Sequence, residues 1–414
     1  MKLGKYSFGI GDRFAKQGEH QLAAFERIAA DGIDVTPVWN KSFREHQTVG
    51  SVPKSVRQEA DESTANRNWS GNYLVDADHI NLENVDDFIP YSDFFTIDVA
   101  KFIDQPTADQ EIKAFLDFLN PHLKDLKIEG ITEDLSFTEA ELSAMSQHFL
   151  KATHEAGAIY RHILKHKEGD IFFTEVSIDE VENPQTPKEL FFILAALAYH
   201  KVPVDTIAPK FTGRFNKGVD YEGDLKQFEK EFDQDLSVIT HCVKVFGFDA
   251  NLKLSVHTGS DKFSLYPIIG KLIRKHNAGL HLKTAGTTWL EELIGLAESD
   301  GDALALAKEI YKTALNRYDE LTGPYSTVIN IDKAELPGEA DISDWSATQF
   351  TDALRHDQQN KNYNPHMRQL LHTAYKVAAE KDKHFTEQLE ENDEVIGRNV
   401  TDNIYKRHLK PLFS

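Results

Sequence analysis

A (β/α)8 barrel of the TIM type, carrying an additional C-terminal helical segment, is the α/β fold this sequence predicts. Three observations predict it. Short apolar or β-branched runs alternate with amphipathic helical stretches, the pattern of parallel strands joined by crossover helices. Eight such runs occur. The glycine-rich fingerprint of the rival open sheet is missing, because GIGDRF lacks a third glycine at the required spacing.

The runs are Tyr6–Gly11, Asp34–Trp39, Asn72–Asp76, Phe94–Asp98, Ile171–Val176, Thr206–Phe211, Lys253–His257 and Gly279–Lys283. Between them, HQLAAFERIAADG has apolar positions at helical spacing and stops at Gly32. A long helix opens at Thr138, and another has Thr186 as its cap with Pro187 in the first turn. DLKQFEKEFDQDLSVITHCVKVF and SLYPIIGKLIRKH supply helices before the seventh and eighth runs. Residues 1–334 are expected to form the barrel, with an insertion near 101–137 where the stretch is long for a crossover. The strands stop after about Glu335, and 335–414 is expected to pack as helices on the barrel. Its high charge suits a partly solvated cap or a contact in a homo-oligomer.

Composition narrows the function. The net charge is −21, from 46 basic and 67 acidic residues. A field of that sign repels phosphate backbones, so nucleic acid is not an expected partner. No run approaches the roughly 20 apolar residues of a membrane span, and the start shows no secretory pattern. The single cysteine, Cys242, lies in an apolar helical run and reads as a buried thiol. One cysteine excludes a disulfide framework and cysteine-rich metal sites. The cytoplasm is the expected compartment.

A barrel carries its active site at the carboxyl ends of its strands, and there this sequence concentrates polar groups. Alternation places His281 and Lys283 on one face, opposite Leu280 and Leu282. Likewise Ser255 and His257 oppose Leu254 and Val256, and Glu175 and Ser177 oppose Val176 and Ile178. The apolar faces must meet the helices, so the polar ones point into the barrel, where unpaired charges are costly. His79, Glu175, His257 and His281 together suit a divalent ion such as zinc, nickel, cobalt or manganese. Taken singly, each histidine is better read as hydrogen-bonded to a neighbouring carboxylate; taken as a set, the metal is the better reading. Asp76, Asp78 and Asp98 are candidate further ligands or orienting partners.

Lys210, Lys262 and Lys283 come from the last three runs, and KTAGTTWLEEL sets glycine and threonine before a helix. That arrangement can cradle a carboxylate or phosphate. A buried ionic network with Asp179 and Asp261 is an equally good reading. Asp12, Arg13, Ser42, Ser260 and Thr284 at run ends are further candidate substrate contacts. Asp12, Asp78, Asp179 and Glu180 are acid/base candidates whose spacing fixes no role.

GIGDRF, VDADHI, FFTID, EVSIDE followed by NPQTP, KFTGRFNKGVDYEGDLKQFE, SVHTGSDKFSLYP and LHLKTAGTTWLE resemble the bacterial tagaturonate epimerase family, the hexuronate C4-epimerases. The resemblance runs from about Phe8 to Leu293, with a weaker echo in NPHMRQLLHTAY. The sequence departs from the pattern in three places: it begins directly at the first expected strand and so is expected to lack the amino-terminal domain of some members, some relatives carry arginine at the position of Lys210, and NKSFRE replaces a Gln-Gln-Ser pattern. The resemblance implies metal-dependent interconversion of D-tagaturonate and D-fructuronate, with the anion site taking the substrate carboxylate. The inverted carbon is β to the ketone, so retro-aldol cleavage and re-addition is the expected route. Asp78 and Asp179 are the expected acid/base pair, assisted by Lys283. A class II-type aldolase or ketose isomerase would need the same groups, and a non-catalytic barrel that binds a sugar acid would need only some of them.

Overall fold

The computed structural model describes residues 2–179, 181–284 and 286–414. Glu180 therefore lies outside the described residues. Eight strands close into one parallel barrel in chain order: β1 (Tyr6–Ile10), β2 (Val35–Ser42), β3 (Leu74–Ile80), β4 (Phe94–Asp98), β5 (Phe173–Ser177), β6 (Thr206–Ala208), β7 (Lys253–His257) and β8 (Leu280–Lys283). β8 closes on β1 with Ser7 opposite His281 and Gly9 opposite Lys283. Four of the strands, β1, β4, β6 and β7, begin at the first residue of the corresponding sequence run.

Capping chemistry starts the helices where the sequence places it. Thr138 and Thr186 each accept the backbone N–H three residues on, and Glu141 and Glu189 bond back, forming capping boxes. Asp224 caps the helix Leu225–Phe246, which buries Cys242; burial pushes that thiol up. The stretch 101–137 carries a helix of its own, Asp109–Leu123.

The alternating faces separate two apolar layers. Phe8, Trp39, Val75, Phe95, Val176, Ile207, Leu254 and Leu282 face outward into the main core under the helices. Leu3, Val38, Leu74 and Phe94, with Phe173 beside them, form a separate small plug in the barrel floor. Above that plug the barrel interior is polar.

The chain after β8 is helical and wraps the barrel. Asp393–Asp402 packs on Thr287–Glu298 and on Gly18–Ala30, and Lys410–Phe413 packs on Tyr266–Lys275. No helix among the described residues is long and apolar enough to cross a membrane.

Candidate active site

β3 is irregular where it reaches the mouth. Its pairing with β4 slips between Ala77 and Ile80, and His79 has a φ of 51°. A left-handed backbone is costly for a residue with a Cβ and persists where the surroundings impose it. Strict alternation would send Asp78 and His79 to opposite faces. The bulge re-aims His79 so that both serve the mouth. His79 Nδ1 lies 3.3 Å from Asp98 Oδ2, and its Nε2 lies 3.8 Å from Asp78 Oδ1.

His257, at the end of β7, stands between two carboxylates. Its Nε2 is 2.7 Å from Glu175 Oε1 and its Nδ1 is 3.1 Å from Asp179 Oδ2. Asp179 also accepts from Ser177 Oγ. The His79 and His257 rings meet edge to face, with centroids 5.2 Å apart. His79, Asp179 and His257 each offer one ligand atom, all within 4.8 Å of one another. His281 sits deeper, in the layer of Ser7 and Ser255. Its Nδ1 is 2.9 Å from Ser7 Oγ, and its Nε2 is buried with no hydrogen-bond partner among the described residues.

Lys283 anchors the layer beneath the histidine pair. Its Nζ donates to Asp76 Oδ2 at 2.6 Å and to Thr96 Oγ1 at 2.7 Å. Asp78 Oδ1 is also 2.6 Å away, a charge contact without the aim of a hydrogen bond, and Glu175 Oε1 is at 3.5 Å. Thr96 ties the layer together, reaching Asp76 and Glu175.

Five carboxylates, Asp76, Asp78, Asp98, Glu175 and Asp179, thus surround one ammonium and three imidazoles. Burial alone would lower the Lys283 ammonium, but Asp76, Asp78 and Glu175 hold it well above its usual range. Burial would raise Asp78, yet Lys283 and His79 hold it down, to about 2. Asp76 is pushed up by burial, with Asp78 and Glu175 adding to it against Lys283. Burial opposes charge on His79 and His257, but Asp78, Asp98 and Asp179 lift the first to about 10, and Asp179 and Glu175 lift the second to about 9. His281 goes the other way, lowered to about 3 by burial. The site therefore demands positive charge at His79 and His257 and keeps His281 neutral. A cation can meet that demand as well as protons can.

The remaining predicted contacts are spread around the mouth. Asp12 accepts the backbone N–H groups of Phe14, Ala15, Lys16 and Gln17 and so shapes the loop after β1. Ser42 caps the helix Phe43–Val49. Lys262 is enclosed by the carbonyls of Asn216, Val219 and Asp261 and by Ser260 Oγ. Ser260 also accepts from Gly218 N–H, and Thr284 donates to the Gly9 carbonyl. Lys210 is half-buried after β6, its backbone N–H held by Gln185. The three lysines are not gathered at one point: Lys262 faces carbonyls and Lys283 faces carboxylates.

Part of the wall comes from the C-terminal chain, which the strand pattern could not place. Tyr325 and Tyr375 hydroxyls lie 3.0 Å apart, and the Arg13 guanidinium stacks 4.1 Å over the Tyr375 ring. Lys217 N–H donates to the Val328 carbonyl. This wall covers the loops after β1, β2 and β6. His79, Asp98 and Asp179 side chains keep 25%, 21% and 21% exposure, so the mouth opens over β3–β5. Sequence reasoning missed Thr96, Ser7 and His372. Alternation along FFTID already puts Thr96 on the inward face with Asp98, whereas His372 had no signal beyond its place in NPHMRQLLHTAY.

The geometry has relatives. A curated tagaturonate/fructuronate epimerase of Thermotoga maritima is 28% identical over 421 residues, covering 97% of this chain and 80% of that protein. A glycerol-complexed crystal structure of the fructuronate-tagaturonate epimerase of Cohnella laeviribosi superposes with a TM-score of 0.80 at 25% identity, covering 98% of this chain and 81% of that one. The native form of the same enzyme gives 0.78 at 25% identity over the same shares. The family description of tagaturonate epimerase matches residues 1–412, so with its closed barrel and carboxylate–histidine mouth the chain belongs to the tagaturonate epimerase family, enzymes of the isomerase class.

Proposed function

We propose that this protein is a metal-dependent sugar-acid epimerase that interconverts D-tagaturonate and D-fructuronate. The observation that carries the reading is the convergence of His79, Asp179 and His257, within 4.8 Å of one another, directly above the Lys283–Asp78 contact. The donor set fits a divalent ion. Two imidazoles and a carboxylate suit zinc, nickel, cobalt or manganese. His281, expected among the ligands, lies outside this group: it sits two residues below Lys283 on β8, with Ser7 engaging its Nδ1. Glu175, bonded to His257, is a ligand or the group that orients it. When bound, the ion would supply a Lewis acid for the ketone end of the substrate.

The protein's own groups handle the proton. The inverting carbon is β to the ketone, so removing its hydrogen yields no stabilised carbanion. Removing its hydroxyl proton instead allows the bond towards the ketone to break, leaving an aldehyde and an enediolate. Rotation of the aldehyde and re-addition to its other face inverts the centre. On cleavage one of the ionised pair Asp78 and Asp179 takes the hydroxyl proton; the proton passes through solvent to the other, which returns it to the alkoxide on re-addition, so the pair ends as it began. Both are held ionised, Asp78 by Lys283 and Asp179 by His257, against the effect of burial. Lys283 steadies the negative charge near the reacting carbons.

The test is turnover of tagaturonate by metal-free protein resupplied with each of the four ions. Fructuronate should appear with at least one, and solvent deuterium should stay out of the inverted carbon. No interconversion with any ion would sink the assignment. Deuterium wash-in without a trapped three-carbon fragment would overturn the cleavage route.

A further inference from the structure

The loops after β1 and β8 meet the C-terminal helix Pro365–Thr373 at Gly286. His372, on that helix, is 2% exposed, and neither ring nitrogen has a hydrogen-bond partner among the described residues. Arg13 is 6% exposed; its Nε reaches Glu45 at 3.2 Å, but its Nη1 is buried without a partner. Both side chains aim at Gly286. A Cβ built there would lie 2.5 Å from His372 Nε2 and 2.9 Å from Arg13 Nη2. Gly286 has a φ of 98° and is the N-cap of the helix Thr287–Glu298; Thr287 N–H donates to the Thr284 carbonyl, and among the described residues no side chain caps the helix.

The first turn of a 12-residue helix, a guanidinium edge and an imidazole thus converge on one spot. Each of the three is a donor or carries positive potential. Burial, with the cations Arg13, Lys217, Arg368 and Lys262 beyond it, holds His372 well below the usual histidine range. Burying unpaired donors is expensive. It is accounted for when a ligand supplies the acceptor.

We propose that Arg13, His372 and the N-terminus of helix Thr287–Glu298 form an anion subsite that holds the carboxylate of the sugar acid. The assignment rests on the sugar-acid reading above for the identity of the anion, though not for the existence of the subsite. In the cleavage route the carboxylate belongs to the aldehyde fragment. An anchor at that end keeps the fragment bound while the aldehyde turns its other face. Arg13 and His372 are then binding and positioning residues.

The test uses Arg13→Gln and His372→Gln in the full chain, with Glu45→Gln as a control that removes the Arg13 salt bridge but keeps the guanidinium. Both subsite variants should raise KM for tagaturonate by about tenfold or more, as expected for a lost charged hydrogen bond. Glu45→Gln should keep the wild-type KM. Inorganic sulfate should compete with tagaturonate in the wild type and lose that effect in the two variants. An unchanged KM with sulfate inhibition retained would overturn the subsite, as would a Glu45→Gln variant that matches Arg13→Gln. Should the wild type fail to turn over tagaturonate, calorimetry with sulfate still decides. Binding that both variants abolish supports the subsite and leaves only the substrate wrong. Its absence in the wild type, or its persistence in the variants, refutes the subsite itself.

Discussion

Lys283 Nζ lies 2.6 Å from Asp76 Oδ2, a contact that reaches across the barrel from β8 to β3 and is almost wholly shut off from solvent. Taking one partner from such a pair leaves an uncompensated charge, a loss of about 3–5 kcal/mol. Lys283→Met should therefore lower stability in urea by that order and abolish turnover. Adding Asp76→Asn should recover part of the stability, because the remaining carboxylates face less repulsion. Activity should stay lost, because Asp78 still lacks its counter-charge. Recovery of turnover in the double variant would mean that Lys283 serves only the fold.

The histidine pair predicts metal retention. Protein purified without chelator should carry about one divalent ion per chain, the stoichiometry of a single mononuclear site. His257→Ala and His79→Ala should each lose it. A ligand that binds only the folded state stabilises it by mass action. Chelation should thus lower the wild-type Tm and leave the His257→Ala Tm unmoved. Elemental analysis and a melting curve read both outcomes, and a wild type with no metal and no response to chelator would contradict the prediction.

How far the sequence reached can be judged from these same residues. Asp76, Glu175, His257, His281 and Lys283 were legible because strand alternation alone turns them inward, and the strands formed where their runs stood. His79 was legible as a run-end histidine, but alternation sets it opposite Asp78; only the bulge, with its φ of 51°, brings both to the mouth. A slip in register is a tertiary outcome that a period-2 pattern cannot carry. Lys262 misled for a different reason. Its sequence neighbours suggested an anion cradle, while its actual partners Asn216 and Val219 lie more than 40 residues earlier in the chain. His372 was invisible for the same cause, since it meets Gly286 only through the packing of the last helices.

The floor of the barrel predicts a pH dependence. Lys253 is 2% exposed, with its ammonium against the Gly4 and Lys5 carbonyls. Burial lowers its pKa to about 7, only partly opposed by Asp205. In the unfolded chain a lysine titrates near 10.4. Between about pH 7 and 10 the unfolded state therefore holds the extra proton, so this residue makes stability rise with pH across that window, opposing the fall that His79 and His257, raised to about 10 and about 9, contribute there. Lys262, also lowered to about 7 by burial, acts in the same sense as Lys253. Lys253→Met should shift the slope of stability against pH downward by up to about 1.4 kcal/mol per pH unit. Urea titrations at pH 7 and pH 9 measure it; an unchanged slope would mean that Lys253 remains charged in the folded state.

Asp261 binds the loop after β7 to the C-terminal helices. It is fully buried, accepts from Arg368 Nη2 at 2.8 Å and Thr287 Oγ1 at 3.1 Å, and lies 3.1 Å from both His356 Nδ1 and His408 Nε2. Burial would raise the carboxyl, but Arg368 and the two histidines hold it well below the usual range. Arg368, also without solvent exposure, spends its other donors on the Gly218 and Leu354 carbonyls. Asp261→Asn keeps the shape and removes the charge, leaving the guanidinium uncompensated at a cost of about 3–5 kcal/mol. Arg368→Met should cost a similar amount by stranding the carboxylate. Because the two residues share one ion pair, the double variant should lose clearly less than the two single losses combined. Since Gly218 and Ser260 sit on the same node, hydrogen exchange in the loops after β6 and β7 should quicken in step with exchange in Pro365–Thr373. Exchange that quickened in the helix alone would mean that the C-terminal chain rests on the mouth without organising it.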